Sequence, residues 1–147
     1  MKRASDMTPQ ELAEASAQAM WDNDRASQRL GMKIDHIAPG QATLSMTVTE
    51  AMTNGHENGH GGYIFTLADS AFAFACNTYN AVTVGQQASI NYVAPARLGD
   101  RLTATAAEAS RSGRSGVYDV TITNQDGCPV AHFRGLSRAV KGTYVPE

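Results

Sequence analysis

The sequence lacks an excess of charge, a cysteine framework and any apolar run long enough to cross a membrane. Its 147 residues carry 12 lysines and arginines against 14 aspartates and glutamates, a balance that argues against nucleic acid or an anionic membrane as partner. The two cysteines, Cys76 and Cys128, have no metal-binding or redox spacing, so we interpret them as free thiols in a reducing compartment. The longest apolar segment, 63–76, is interrupted by Asp69 and is shorter than the roughly 20 residues of a membrane helix.

The first residues also lack the apolar stretch of a signal peptide, because Lys2 and Arg3 lead into polar sequence. We therefore expect a cytoplasmic protein. The length suits one domain. We predict a flexible N-terminus over residues 1–7, one folded domain over 8–142 and a C-terminal tail over 143–147.

The start of the first helix is clearly marked in the sequence. Thr8 is a helix cap, Pro9 suits the first turn, and Glu11 completes a capping box. From this start we predict one helix that continues to about Leu30, where Gly31 ends it.

The rest of the pattern predicts one further helix and six strands. The helix, over about 62–78, is apolar nearly all round, which indicates a buried helix. Alternating apolar and polar residues predict strands at about 32–37, 41–49, 82–93, 101–111, 116–123 and 129–140. This order favours an α+β domain in which a curved antiparallel sheet wraps one long central helix, with an extra N-terminal helix. Because such a sheet leaves edges and an open side, we expect a dimer.

One residue in the central helix does not fit an apolar core. Asp69 is the one acidic or basic residue between Glu57 and Arg97. Burying an unpaired carboxylate costs on the order of several kcal/mol. Asp69 therefore either has a function, or is held by hydrogen bonds to a neighbouring segment or by a dimer groove, and its position alone favours neither interpretation.

The start of the same helix carries a second candidate feature, His60-Gly61-Gly62. A helix N-terminus has unpaired N–H groups and a partial positive charge, so it can stabilise a carbonyl oxygen that becomes negative. A plain glycine-rich helix entry is the simpler alternative. Asp69 follows Gly61 by eight residues, which is roughly 12 Å along a helix. If both residues serve one site, they must come from different subunits, with two antiparallel copies of the helix side by side.

The segment 56–60 reads His-Glu-Asn-Gly-His and matches the letters of a zinc-protease motif. That motif binds zinc only on a helix, where its two histidines share one face. The glycines at 55, 59, 61 and 62 make a helix improbable here. We expect no metal site, and the sequence indicates no cofactor.

Taken together, the motifs resemble the hotdog-fold thioesterases of the phenylacetic-acid-degradation type. The resemblance is carried by Asn-Gly-His at 54–56, His-Gly-Gly at 60–62 and Leu-Ala-Asp-Ser-Ala-Phe-Ala-Phe-Ala-Cys-Asn at 67–77. It covers about 21–142 and continues through Leu-Gly-Asp at 98–100, Gly-Val-Tyr-Asp at 116–119 and Phe-Arg-Gly at 133–135.

This resemblance implies a homodimer that pairs into a homotetramer and hydrolyses aryl-acetyl or hydroxyphenylacetyl thioesters of coenzyme A. By position, Asp69 would activate water or attack directly, and Gly61 would donate its N–H to the thioester oxygen. His60 would orient the loop or the substrate. Asn54 would hold the attacking water or the thioester end from the other subunit.

Further residues are candidates for substrate binding: Gly62, Phe65 and Ser89. In some relatives a hydroxyl residue on the following strand assists the carboxylate, and Gly85 occupies the nearest position here. Two other functions stay open. A hotdog enoyl-CoA hydratase would need a histidine beside the acid, and a non-catalytic acyl-CoA-binding protein would bind without turnover.

Overall fold

A computed structural model describes residues 2–147 of the chain. It contains three α-helices, six β-strands and two short 3-10 turns: Ala4–Asp6 (3-10), α1 Pro9–Trp21, α2 Arg25–Arg29, β1 Lys33–Ala38, β2 Gln41–Thr47, Glu50–Met52 (3-10), α3 Gly61–Cys76, β3 Thr83–Tyr92, β4 Arg101–Ser112, β5 Ser115–Thr123 and β6 Pro129–Ala139. No helix within this range is both long and apolar enough to cross a membrane.

The six strands form one antiparallel sheet in the order β1-β2-β4-β5-β6-β3. Helix α3 packs against every strand of that sheet, and α1 packs on β1. The core between α3 and the sheet consists of fully buried apolar side chains, among them Leu44, Leu67, Phe74, Leu102 and Ile122. The predicted α+β arrangement, a sheet around one long helix with an extra N-terminal helix, is confirmed.

The predicted capping box at Thr8 is present. Its hydroxyl accepts a hydrogen bond from the N–H of Glu11, and the Glu11 carboxylate accepts one from the N–H of Thr8. The prediction of one helix to about Leu30 is wrong, because α1 ends at Trp21. Asp24 leaves the helical conformation, and its carboxylate accepts hydrogen bonds from the N–H and hydroxyl of Ser27, so it begins a separate helix.

The two edges of the sheet differ in what covers them. Strand β1 lies beneath α1, whereas β3 pairs only with β6 among residues 2–147, which leaves its outer edge free in that range. Apolar side chains at this free edge are about half exposed in the single chain: Val84 at 46%, Tyr92 at 49% and Val93 at 54%. A long, partly apolar edge of this kind is a surface suited to a second chain.

Candidate functional site

The loop that enters α3 is tied down by its own backbone. The N–H of Gly59 donates to the carbonyl of Ala96 at 2.7 Å, and the N–H of His60 donates to the carbonyl of Met52 at 2.7 Å. Glu57 has a φ of +62°, so the segment with the letters of the zinc motif is a turn. Its two histidines therefore do not share a helical face, which is the arrangement that the motif requires.

Asn54 organises this loop in the single chain. Its side-chain oxygen accepts hydrogen bonds from the N–H groups of His56, at 2.9 Å, and Asn58, at 3.2 Å. Its backbone N–H donates to the carbonyl of Asn58, and its carbonyl accepts from Glu57. The side chain is exposed, so its amide group remains within reach of a ligand or a second subunit.

The first turn of α3 has four backbone N–H groups without helical partners, and three of them are satisfied. The N–H of His60 donates to the carbonyl of Met52, that of Gly62 donates to His60 Nδ1 at 2.9 Å, and that of Tyr63 donates to the carbonyl of His60. The fourth N–H, that of Gly61, has no acceptor among residues 2–147. Of the two glycines predicted to meet substrate, it is therefore Gly61 whose N–H stays free, at the positive end of the helix.

Tyr92, at the end of β3, fixes the position of this free N–H. Its hydroxyl donates to the carbonyl of Gly61 at 2.8 Å. Its ring is so close that a Cβ on Gly61 would lie 3.1 Å from it, so glycine gives the ring room. Nothing in the sequence pattern indicates this role, because the contact joins residues 31 positions apart.

Asp69 lies two turns further along α3, on a face that the sheet does not cover. Its side chain is exposed in the single chain and has no hydrogen-bond or ion-pair partner among residues 2–147. The predicted buried helix thus packs on the sheet along one side, and in one chain alone it leaves Asp69 exposed. Neighbouring protein atoms still desolvate the carboxyl, which raises its pKa above the ordinary value of 3.8.

A cleft of about 190 Å³ opens beside Asp69 at the free edge of the sheet. Its other lining residues are Phe72 and 85–88 of β3. The strand contains a bulge here, since Gly85 pairs with Ser137 and Gln87 with Leu136, which leaves Gln86 as an extra residue. The cleft thus combines one carboxylate, one aromatic ring and an irregular stretch of backbone.

The remaining predicted substrate-binding residues lie elsewhere in the single chain. The ring of Phe65 packs edge-on against Phe133, with 5.5 Å between the ring centroids. Ser89 is paired with Arg134, whose exposed guanidinium binds the Asp119 carboxylate on the outer face of the sheet. Because paired residues point to the same face, Ser89 lies on the opposite side of the sheet from Asp69. One chain does not bring Ser89 to Asp69.

Gly61 and Asp69, the two candidate functional groups of α3, also lie apart within one chain. Gly61 and Asp69 belong to the same helix, and their separation of eight residues corresponds to roughly 12 Å. A desolvated carboxylate can accept a proton from water. A free N–H at a helix N-terminus can stabilise a negatively charged oxygen. These are two elements that hydrolysis of a carbonyl compound requires, and one chain alone does not bring them together.

Comparison with known proteins places the chain in a protein family. The family model described as the thioesterase superfamily matches residues 56–131. The acyl-coenzyme A thioesterase PaaI of Escherichia coli K12 is 43% identical over 132 residues, which is 90% of this chain and 94% of that protein.

Solved structures agree with the sequence match. That of E. coli PaaI, from the phenylacetic acid degradation operon, has a TM-score of 0.91 at 42% identity and covers 92% of this chain and 99% of its own. A protein of Thermus thermophilus has a TM-score of 0.77 at 36% identity, with coverage of 80% and 99%. A hypothetical thioesterase of Streptococcus pneumoniae TIGR4, solved with coenzyme A, has a TM-score of 0.73 at 28% identity, with coverage of 76% and 90%.

Proposed function

The chain belongs to the thioesterase superfamily as a hotdog-fold acyl-coenzyme A thioesterase, and on that premise we propose that it hydrolyses aryl-acetyl thioesters such as hydroxyphenylacetyl-coenzyme A. The products are the free acid and coenzyme A. One observation carries the proposal: at the entry to α3 the N–H groups of Gly59, His60, Gly62 and Tyr63 are satisfied, whereas that of Gly61 has no acceptor among residues 2–147. A thioester carbonyl oxygen fits that position, since it needs one strong donor as its negative charge develops.

Asp69 supplies the second half of the reaction. Its carboxylate takes a proton from water, and the water oxygen attacks the thioester carbon. The negative charge collects on the oxygen at Gly61, the carbon–sulfur bond then breaks, and the coenzyme A thiolate leaves and takes up a proton. The raised pKa of Asp69 brings the carboxylate closer to the strength of a useful base.

Direct attack by Asp69 is the alternative to this general-base role. It would form a mixed anhydride between the carboxylate and the acyl group. Single-turnover hydrolysis in heavy-oxygen water separates the two mechanisms, because label enters the Asp69 carboxylate only when Asp69 is the nucleophile.

The complete site requires a homodimer. The free edge of β3 and its apolar side chains give a second copy a surface on which to pair, and the Asp69 cleft opens at that edge. With the two α3 helices antiparallel, the Gly61 end of one lies beside Asp69 of the other, so the dimer has two equivalent sites. We extend the proposal to a homotetramer of two such dimers in the cytoplasm.

The remaining candidates have supporting roles in this proposal. His60 holds the Gly62 N–H and so leaves Gly61 as the single donor for the carbonyl. Asn54 shapes the loop and presents its amide to water or to the thioester end. Phe65 and Ser89 would contact substrate only as parts of the assembled oligomer.

A matched pair of substitutions at Gly61 tests the central observation. Gly61→Pro removes the N–H at a helix position that tolerates proline, whereas Gly61→Ala keeps it. Both add the same Cβ against the Tyr92 ring. We expect the proline variant to lose about 100-fold in kcat/KM relative to the alanine variant, measured as thiol release from a panel of acyl-coenzyme A thioesters. Equal activity of the two variants would rule out the donor role.

Mixing two inactive variants tests the composite site. Asp69→Asn and Gly61→Pro chains, unfolded together and refolded, form hybrid dimers in which one site has both intact groups. We expect about one quarter of wild-type activity from a 1:1 mixture. A mixture as inactive as its components would place both groups of each site in one chain. Binding of the thioesters by the wild type without thiol release would instead identify a non-catalytic binding protein.

A further inference from the structure

We propose that Phe72 closes the inner end of the acyl pocket, so that the enzyme accepts short or single-ring acyl groups and excludes long chains. This inference rests on the proposed thioesterase function. It concerns Phe72, which is 2% exposed and lines the Asp69 cleft. Its ring contacts that of Tyr118, which lines a second cavity near the C-terminal end of α3.

Two glycines allow the Phe72 ring to lie directly against the sheet. A Cβ on Gly85 of β3 would be 3.0 Å from the ring. A Cβ on Gly135 of β6 would be 2.7 Å from three ring atoms at once. Since real contacts of this kind are longer, any side chain at Gly135 would displace the ring. The two glycines therefore define one position for Phe72, across the groove between α3 and the two strands.

Other aromatic rings hold Phe72 from behind. Its ring centroid lies 5.7 Å from that of Phe133 and 5.8 Å from that of Tyr118, both in tilted contacts. Tyr118 is itself fixed, because its buried hydroxyl donates to the Glu108 carboxylate at 3.0 Å. The glycines and the neighbouring rings therefore hold the Phe72 ring in place at the wall of the Asp69 cleft.

A second cavity of about 120 Å³ lies near the C-terminal end of α3. It is lined by the side chains of Cys76, one helical turn after Phe72, and of Tyr118 and Ser137, with others from the hairpin between β4 and β5. Ser137 is the residue paired with Gly85 of the Asp69 cleft. The Phe72 ring lines the Asp69 cleft, the Tyr118 ring lines the second cavity, and the two rings are in contact, so this pair of rings lies between the two spaces.

The volumes indicate which acyl groups fit. A cavity of about 150 Å³ is enough to hold a benzene molecule, and the Asp69 cleft measures about 190 Å³. A single aromatic ring or a short aliphatic chain therefore fits without displacing Phe72. A longer acyl chain that extends inwards from this cleft meets the Phe72 ring, which is held against Gly85 and Gly135.

Shortening Phe72 tests this inference. We expect Phe72→Leu and Phe72→Ala to raise the ratio of kcat/KM for octanoyl- over phenylacetyl-coenzyme A by about tenfold or more, because each added methylene that finds room contributes to specificity. Phe74→Leu is the matched control. Phe74 is an equally buried ring of α3 that packs towards Trp21, with 6.1 Å between ring centroids, and we expect its variant to leave the ratio unchanged.

The outcomes separate this inference from the proposed function. Absence of thiol release from every thioester by the wild type would refute the thioesterase proposal itself. Release with the same ratio in folded Phe72 and Phe74 variants would refute only the role of Phe72. If neither Phe72 variant folds, the substrate specificity of the wild type tests the inference. We expect its kcat/KM to fall at least tenfold from phenylacetyl- to octanoyl-coenzyme A, and equal values would overturn the inference.

Discussion

The two ends of α3 differ in how completely their polar groups are satisfied. At the N-terminal end the N–H of Gly61 has no acceptor among residues 2–147, and the loop around it is exposed. At the C-terminal end the side chain of Asn77 makes hydrogen bonds through both of its polar atoms, although it is only 2% exposed. Helix α3 thus begins at an N–H group without an acceptor among residues 2–147 and ends at a side-chain amide that is hydrogen-bonded through both polar atoms.

The C-terminal end is closed by the last residues of the chain. Asn77 donates to the carbonyls of Ala73 and Thr83 and accepts from the N–H of Thr83 and the hydroxyl of Tyr144. Asn80, in the left-handed region at φ +58°, uses its amide to bind the backbone of Tyr144 and Val145. The segment over 143–147 that the sequence predicts to be a tail therefore contains residues that pack onto the helix end.

The two ends of α3 therefore differ in role: one end stabilises the fold, and the other is available for chemistry. A buried polar group that is fully paired stabilises the fold, and its loss costs free energy of unfolding. A free donor at a helix N-terminus contributes little to folding, and it is available to bind a negatively charged group. Substitutions near Gly61 and Asp69 should therefore reduce activity, and substitutions near Asn77 should reduce stability.

The largest expected effect is at Asp69. We expect Asp69→Asn to lower kcat/KM about 1,000-fold, since a positioned general base contributes a factor of this size. We also expect its melting temperature to be equal to or above that of the wild type. Because folding raises the pKa of this carboxyl, the folded chain disfavours its ionised form above pH 3.8, and the amide removes that cost.

The same shift predicts the pH dependence of the wild type. Activity should be lost as the pH falls through the raised pKa of Asp69, at a pH above the 3.8 of an ordinary aspartate. The acid limb of a kcat/KM profile measures this midpoint. A fully active Asp69→Asn variant, or an acid midpoint below 3.8, would contradict the assignment of Asp69 as the base.

The second largest effect is expected at Asn77, at the C-terminal end of α3. We expect Asn77→Ala to lower the free energy of unfolding by about 3 kcal/mol, because the backbone N–H and carbonyl of Thr83 lose their partner inside the protein. Its kcat/KM per folded molecule should stay within about threefold of wild type. Asn54→Ala is the control, since Asn54 is exposed, and we expect it to cost less than about 1 kcal/mol. Denaturant unfolding of the three proteins would show equal stability if the contrast between the ends were absent.

Much of this contrast lies beyond what sequence can predict. The capping box at Thr8 and the start of α3 at Gly61 were predictable because each depends on neighbouring residues. Helix α2 also begins at a local cap, Asp24. The apolar pattern through Trp21 nevertheless predicted one continuous helix. The exposure of Asp69 was not predictable, because an apolar helix gives no sign of which face the sheet leaves open.

Hydrogen bonds between segments that are distant in the sequence could not be predicted from it either. Tyr144 binds Asn77 from 67 residues away, and Tyr92 binds Gly61 from 31 residues away. The residues His60-Gly61-Gly62 alone favour a plain glycine-rich helix entry, and the role proposed for Gly61 comes from the resemblance to the thioesterase family. What the structure adds is that the neighbouring donors are occupied.

A smaller effect is expected at His60, which caps the first turn of α3. His60→Ala frees the N–H of Gly62, which then competes with Gly61 for the carbonyl oxygen. We expect a loss of about 1 kcal/mol in stability and of about tenfold in kcat/KM. His60→Asn keeps a capping acceptor and should restore most of both. Equal losses in the two variants would mean that the imidazole acts on substrate directly.

The smallest effect is expected at Tyr92, which holds Gly61 without touching the free N–H. Tyr92→Phe keeps the ring beside Gly61 and removes only the hydrogen bond to its carbonyl. Because that bond is partly exposed, we expect a stability loss of about 0.5 kcal/mol and a decrease in kcat of about threefold, with KM unchanged. Steady-state kinetics with one thioester measure both constants. A rise in KM at constant kcat would mean that the Tyr92 hydroxyl binds substrate, and the N-terminal end of α3 would then offer two groups for ligand instead of one.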